Sequence, residues 1–143
     1  MREAIREAET AFLLGEVPIG VVIVCDSRII ARGHNLRETT GDPTAHAEII
    51  ALREASQLKR HWRLTETVLY TTLEPCPMCA GAMVQARIKR LVFGASDPKA
   101  GAAGSLINIV QDERLNHRLE VTSGVLADEC GKILKRFFKE RRN

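Results

Sequence analysis

Two short fragments of the 143-residue chain hold residue types that do chemistry when brought together: Thr44-Ala45-His46-Ala47-Glu48 and Glu74-Pro75-Cys76-Pro77-Met78-Cys79. Cys76 and Cys79 are three positions apart, so on a helix they differ by about 60° in direction and face the same way. Pro77 suits a first helical position, which puts both thiols at a helix N-terminus, where free N–H groups favour the thiolate. Two thiolates and the imidazole of His46 make a borderline-soft donor set suited to Zn2+. Three protein donors leave the fourth tetrahedral position for water, the pattern of a catalytic site, whereas a structural site closes with four. His34, His61, His117, Cys25 and Cys130 are the other possible donors, and none stands at ligand spacing from another. Cys25 and Cys130 lie in apolar patterns and read as buried, inert thiols.

Glu48 decides what such a site would do. A metal acidifies its water, but a proton must still travel from that water to the leaving group. A carboxylate beside the ligand His, and not itself on the metal, can carry it. On a regular helix, positions i and i+2 lie about 200° apart. The reading therefore requires His46 and Glu48 in the first turn, approaching the metal from the helix end. Read alone, Glu48 equally complements a helix N-terminus, and a lone Cys-x-x-Cys equally serves redox or zinc-ribbon sites. Together, His-x-Glu and Pro-Cys-x-x-Cys match the pattern of zinc deaminases, which exchange an exocyclic amine for oxygen.

The elements that must position these residues are legible from periodicity. Met1, Ala4, Ile5, Ala8, Ala11 and Phe12 recur at helical spacing, and Gly15 is a natural stop. Residues 19–25 and 28–34 flank the polar pair Asp26-Ser27 and read as a hairpin. A polar loop over 35–42 leads through Pro43 into a helix over 44–58, with Ala47, Ile50, Ala51, Ala55 and Leu58 on its inner face. Strands over 68–71 and 91–93 bracket a helix over 76–86. A Gly-rich loop over 94–104, a short strand over 120–123 and a last helix capped by Asp128 complete the chain. Ile133, Leu134, Phe137 and Phe138 are that helix's apolar positions. The order implies an α/β fold with one mixed sheet of about five strands and helices on both faces. Its central strand–helix–strand unit should be parallel and right-handed.

Composition sets the outer bounds. At 45% hydrophobic and 27% charged residues, the chain suits one domain, 1–143, with a full core. The longest apolar run, 19–25, has seven residues, against about 20 for a membrane helix. No signal-peptide apolar core opens the chain, so the expectation is a cytoplasmic protein without a membrane partner. The net charge of +3 is uneven: residues 132–143 carry a surplus of +5 on Lys132, Lys135, Arg136, Lys139, Arg141 and Arg142 against Glu140, leaving −2 for the rest. A basic end of this kind suits a phosphate-bearing partner, or else complements its own helix dipole.

Beyond the metal motif, the chain resembles the bacterial tRNA-specific adenosine deaminases, of the cytidine deaminase superfamily, nearly end to end. The likeness rests on Gly15-Glu16-Val17-Pro18-Ile19-Gly20, His34-Asn35, 42–48, 73–83, Phe93-Gly94-Ala95, Asp97, Lys99, Gly101-Ala102-Ala103-Gly104-Ser105-Leu106, Asn116-His117 and Phe137-Phe138. The Lys-x-Gly-x-x-Gly-Ser loop and the Phe-Phe tail point to the tRNA branch. This resemblance implies a three-layer α/β/α sandwich, cytidine-deaminase-like, and a homodimer. It implies conversion of adenosine to inosine at the wobble position of an anticodon stem–loop. His46, Cys76 and Cys79 would bind one zinc per chain, with Glu48 as proton shuttle. Asn35 and the backbone of Ala47 would hold the flipped base. Leu73, Asp97, Lys99 and Ser105 would line the anticodon-loop path; Phe137 or Phe138 would stack on a base, and Lys139, Arg141 and Arg142 would meet phosphates. Alternatives are a small-molecule deaminase acting on guanine or cytosine, a single-stranded DNA adenine deaminase, and a non-catalytic zinc-stabilised RNA-binding module.

Overall fold

A computed structural model of the chain describes residues 1–142 in backbone and 1–141 in side chains. A five-stranded mixed sheet in the order β2-β1-β3-β4-β5 runs through the molecule, with β1 at Gly20–Cys25, β2 at Arg28–His34, β3 at Thr67–Leu73, β4 at Arg90–Ala95 and β5 at Glu120–Thr122. β1 is antiparallel to β2 and β3, while β3, β4 and β5 run parallel. Two layers of helices cover it. α3 (Ala47–Lys59) lies on β1 and β2 beside α4 (Pro77–Gln85), and α1 (Arg2–Leu13) and α5 (Ala127–Arg142) lie together on β1 to β4. This is the three-layer α/β/α sandwich with a five-stranded mixed sheet.

The hairpin forms as its sequence implies. Val21 to Val24 are β-branched and fit a pleated, packed strand. Asp26 (φ 50°) and Ser27 (φ 61°) take the left-handed pair that matches strand twist in a two-residue turn. The core between sheet and helices is built on Ile23, Leu69, Met83, Ile88 and Leu91, all buried; each large apolar side chain contributes about 1.5–3 kcal/mol by leaving water. The helices approach closely because their inner positions are alanines: Ala4, Ala8 and Ala11 on α1, and Ala47, Ala51 and Ala55 on α3. Gly33 completes this contact, since a Cβ there would stand 2.3 Å from the Ala47 carbonyl oxygen. Any side chain at Gly33 would displace the first turn of α3.

Four expectations need correction. α3 begins at Ala47, not at Thr44, because the Asp42 carboxylate accepts from both the backbone N–H and the hydroxyl of Thr44 and winds 42–46 into turns. On α3 the buried positions include Leu52, whereas Leu58 is exposed, because residues 57–60, the last turn of the helix and its cap, are all exposed and offer no core face. Segment 35–42 is no plain loop, for α2 (Arg37–Thr40) stands within it, closed by Gly41 in the left-handed region. The final helix already includes Ala127, so Asp128 lies in its first turn and not at its cap.

Candidate active site

β3 ends at Leu73, and the chain turns directly into α4 through Glu74, Pro75 and Cys76. Cys76 is the N-cap of α4, with extended backbone and Pro77 just inside the helix. His46 occupies the same position on α3: it is the N-cap, with φ −74° and ψ 151°. Two helix N-termini thus meet at one end of the sheet, outside the carboxyl end of β3, where ligands of open α/β sheets collect. The placement also removes the i, i+2 difficulty. His46 precedes the helix, so its ring and the Glu48 side chain are not bound to one helical stripe.

His46 Nδ1 lies 3.6 Å from Cys76 Sγ and 3.5 Å from Cys79 Sγ. A tetrahedral zinc with Zn–S of about 2.3 Å and Zn–N of about 2.0–2.1 Å requires an N to S separation of about 3.6 Å. The three donors therefore stand at the spacing a tetrahedral ion needs. They form the one group of His, Cys, Asp or Glu donors that could hold a metal among the described residues. The other candidates are engaged elsewhere or buried apart. His34 pairs with Glu7 at 3.0 Å, His61 accepts from the Arg63 N–H, and His117 meets the Ile88 carbonyl oxygen. Cys25 and Cys130 are both buried, and burial pushes the Cys130 thiol up to about 11.

The two cysteines of the site are unequal. A hydrogen bond from the Cys79 thiol, against the opposing effect of burial, brings Cys76 down to about 5, helped by the backbone N–H of Cys79 and by His46. That same bond, with burial and the nearby Glu48, pushes Cys79 upward. The pair thus holds one proton between them, and a dication would displace it. Glu48 is buried, at 4% exposure. Burial pushes its carboxyl up to about 7, its own backbone N–H pulls back, and the charge of Cys76 adds to the rise. A group poised near neutrality can both take and give a proton.

Beside His46 opens a cavity of about 80 Å³ lined by Val17, Ile19, Asn35, Arg37, His46 and Ala47. Asn35 is 5% exposed; its amide donates to the Val17 carbonyl oxygen and its oxygen accepts from the Arg37 N–H. One amide hydrogen and one lone pair of Asn35 stay outside those two bonds. A second cavity of about 260 Å³ shares Val17 and reaches Phe137, Phe138 and Arg141. Phe137 is buried and Phe138 is 46% exposed, which separates the two aromatics. Arg141 lies over the Phe137 ring at 4.9 Å and donates to the Gly15 carbonyl oxygen. Lys99 and Lys139 are exposed, and Leu73 is half-buried at the end of β3. The Asp97 carboxylate accepts from the N–H groups of Lys99 and Ala100, and the Ser105 hydroxyl donates to Glu74. The Arg142 side chain lies outside the described residues.

Three residues take places at or beside the site for which residue type and spacing assign no role. Arg37 lines the cavity beside His46. Glu16 and Glu74 are buried at 1% and 2% exposure, and each carboxylate accepts backbone N–H groups from a distant segment. The available signal was an acid embedded in apolar neighbours, as in Leu73-Glu74-Pro75 and Gly15-Glu16-Val17-Pro18.

The fold is that of a cytidine-deaminase-like deaminase, and the model of the MafB19-like deaminase family matches residues 1–142. The chain is 56% identical to a tRNA-specific adenosine deaminase of Bacillus subtilis (strain 168), over 99% of this chain and 88% of that protein. A tRNA-specific adenosine deaminase of Haemophilus influenzae is also 56% identical, over 99% of this chain and 83% of its own. A solved structure from work on A-to-I editing by tRNA:A34 deaminases at the wobble position superposes with a TM-score of 0.90 at 45% identity, covering 94% of this chain and 97% of that one. The chain belongs to the family of tRNA-specific adenosine deaminases.

Proposed function

We propose that the chain, acting as one domain over 1–143, hydrolyses adenosine to inosine and ammonia at the wobble position of a tRNA anticodon loop. The observation that carries this reading is the buried carboxyl of Glu48 beside, and outside, a three-donor set at tetrahedral zinc spacing. His46 through Nδ1, with Cys76 and Cys79, would hold one Zn2+. Bound there, zinc would acidify a water and so make it a nucleophile near neutral pH. Glu48 takes one proton from the attacking water and delivers it to the ring nitrogen N1 of adenine as the C6–O bond forms, then takes the second proton from the new C6 hydroxyl and gives it to the amino group as the C6–N bond breaks, leaving inosine and ammonia. Asn35 uses its free amide hydrogen and lone pair on the edge of the flipped base, and the Ala47 backbone holds that base against the site. Bases in a single-stranded loop can be splayed out and read at their edges at low cost, unlike bases in a duplex.

Around that pocket, Leu73 and the loop carrying Asp97, Lys99 and Ser105 form one wall of the RNA path. Phe138 is the aromatic free to stack on a flanking base, while Phe137 supports it from the core at 5.4 Å between ring centroids. Lys139, Arg141 and Arg142 supply charge for phosphates. Arg141 is also tied to Phe137 and Gly15, so its loss would loosen α5 as well. The working form would be a homodimer in the cytoplasm, where tRNA is found. No helix among the described residues is long and apolar enough to cross a membrane.

Replacing Lys99 and Lys139 together by Gln tests the RNA side without touching the metal site. Both are exposed, so thermal stability should stay nearly unchanged. Binding of an anticodon stem–loop should weaken, and the slope of log affinity against log salt should shrink by about 0.7 for each lost contact to single-stranded phosphate. An unchanged slope would remove these cations from the RNA surface.

A further inference from the structure

Glu74 lies between the end of β3 and the metal-site residue Cys76, yet among the described residues every hydrogen bond to its carboxylate comes from one distant loop. Oε1 accepts from the Asp97 N–H at 3.0 Å and from the Ser105 hydroxyl. Oε2 accepts from the N–H groups of Ala103 and Ser105, both at 3.0 Å. Next along the chain, the Pro75 carbonyl oxygen accepts from the Ala102 N–H at 2.8 Å. Gly101 lets the loop come this near, because a Cβ there would stand 2.4 Å from Glu74 Cδ. The loop in turn is wound by Asp97, whose carboxylate and carbonyl oxygens accept from Lys99, Ala100 and Gly101. A buried carboxylate is costly unless its lone pairs are filled. The loop therefore cannot leave without stranding that charge, and hydrogen bonds to Glu74 and Pro75 tie it to the strand end.

We propose that Glu74 is a positioning residue for the RNA substrate: its carboxylate fixes the loop 97–105, and with it Lys99, in register with the turn that presents Cys76. The proposal rests on the reading of this loop as part of the RNA path. Holding the loop before RNA arrives moves its ordering cost from binding to folding, which raises affinity without any direct contact. Among the described residues the carboxylate's hydrogen bonds all go to the loop and none to Glu48 or the donor atoms, so the effect falls on binding and not on the metal.

A double-mutant cycle on stem–loop affinity, with zinc content measured for each variant, tests this. Glu74→Gln keeps the shape but turns an amide N–H2 toward backbone donors, and should weaken binding by about tenfold while retaining one zinc per chain. In the Lys99→Gln background the same change should cost less than about threefold, because the contact that Glu74 places is already gone. A full tenfold loss in both backgrounds would make Glu74 a general structural residue and overturn the proposal. Unchanged affinity on Glu74→Gln would overturn it too. Unchanged affinity on Lys99→Gln alone would take the loop off the RNA path and remove the proposal, while leaving deamination of the stem–loop intact. Failure of the parent protein to bind the stem–loop would instead defeat the proposed function. If Glu74→Gln does not fold, Gly101→Ala displaces the same carboxylate from the opposite side, and the same dependence on Lys99 must appear.

Discussion

Glu48→Gln is expected to abolish deamination almost completely, by a factor on the order of 10² or more, while the protein keeps one zinc per chain. The amide has the size of the carboxyl it replaces, so the cavity beside His46 and the packing of α3 on β2 survive. What disappears is a buried acid beside the donors that can both accept and return a proton near neutrality. Its carboxyl sits at about 7 chiefly because burial disfavours its charge, and glutamine cannot titrate at all. Zinc should remain because His46, Cys76 and Cys79 are complete without Glu48. Turnover of an anticodon stem–loop and metal analysis on the same preparation check both halves. Near-normal turnover would remove Glu48 from the proton path, and loss of zinc would make it a ligand.

Cys76→Ser and Cys79→Ser should have the opposite signature, with metal lost first and activity lost with it. A serine hydroxyl is a poor ligand where a thiolate stood, so affinity for zinc should fall by about 10² or more. Cys79 is fully buried on α4, so its loss should also lower the melting temperature of the zinc-loaded protein. Cys25→Ser and Cys130→Ser should retain zinc, for neither belongs to the donor group. Metal content after dialysis decides the matter. Equal loss of zinc from Cys25→Ser or Cys130→Ser would mean a closed, four-donor site and would end the catalytic reading.

What was legible in the sequence is what local rules control. Asp26-Ser27 announces its hairpin because a polar pair between two apolar runs suits a two-residue turn, and both residues take the left-handed conformation of its I′ form. The cysteine pair and Pro77 announce the N-terminus of α4 because ligand spacing and helix entry are both written within four residues. The start of α3 was misplaced by three residues, since the pattern continues back to Thr44 while the Asp42 side chain claims the Thr44 N–H. α2 leaves no sign in the sequence. Its four residues carry no apolar stripe, and its first-turn N–H groups are filled by Glu16, about twenty positions earlier. Glu74 was hidden for the same reason: its partners are backbone groups of a remote loop, and backbone donors leave no trace in residue identity. Leu58 fits the apolar stripe by spacing, but the last turn of α3 is exposed on all sides, and spacing does not show where cover ends.

The most direct test of the account is to incubate the zinc-loaded protein with total bacterial tRNA, and separately with free guanine and cytosine, and to locate inosine by sequencing. The account predicts inosine at the wobble position of an anticodon loop, none elsewhere, and no ammonia released from either free base. Ammonia from guanine or cytosine, with no inosine in any tRNA, would contradict it.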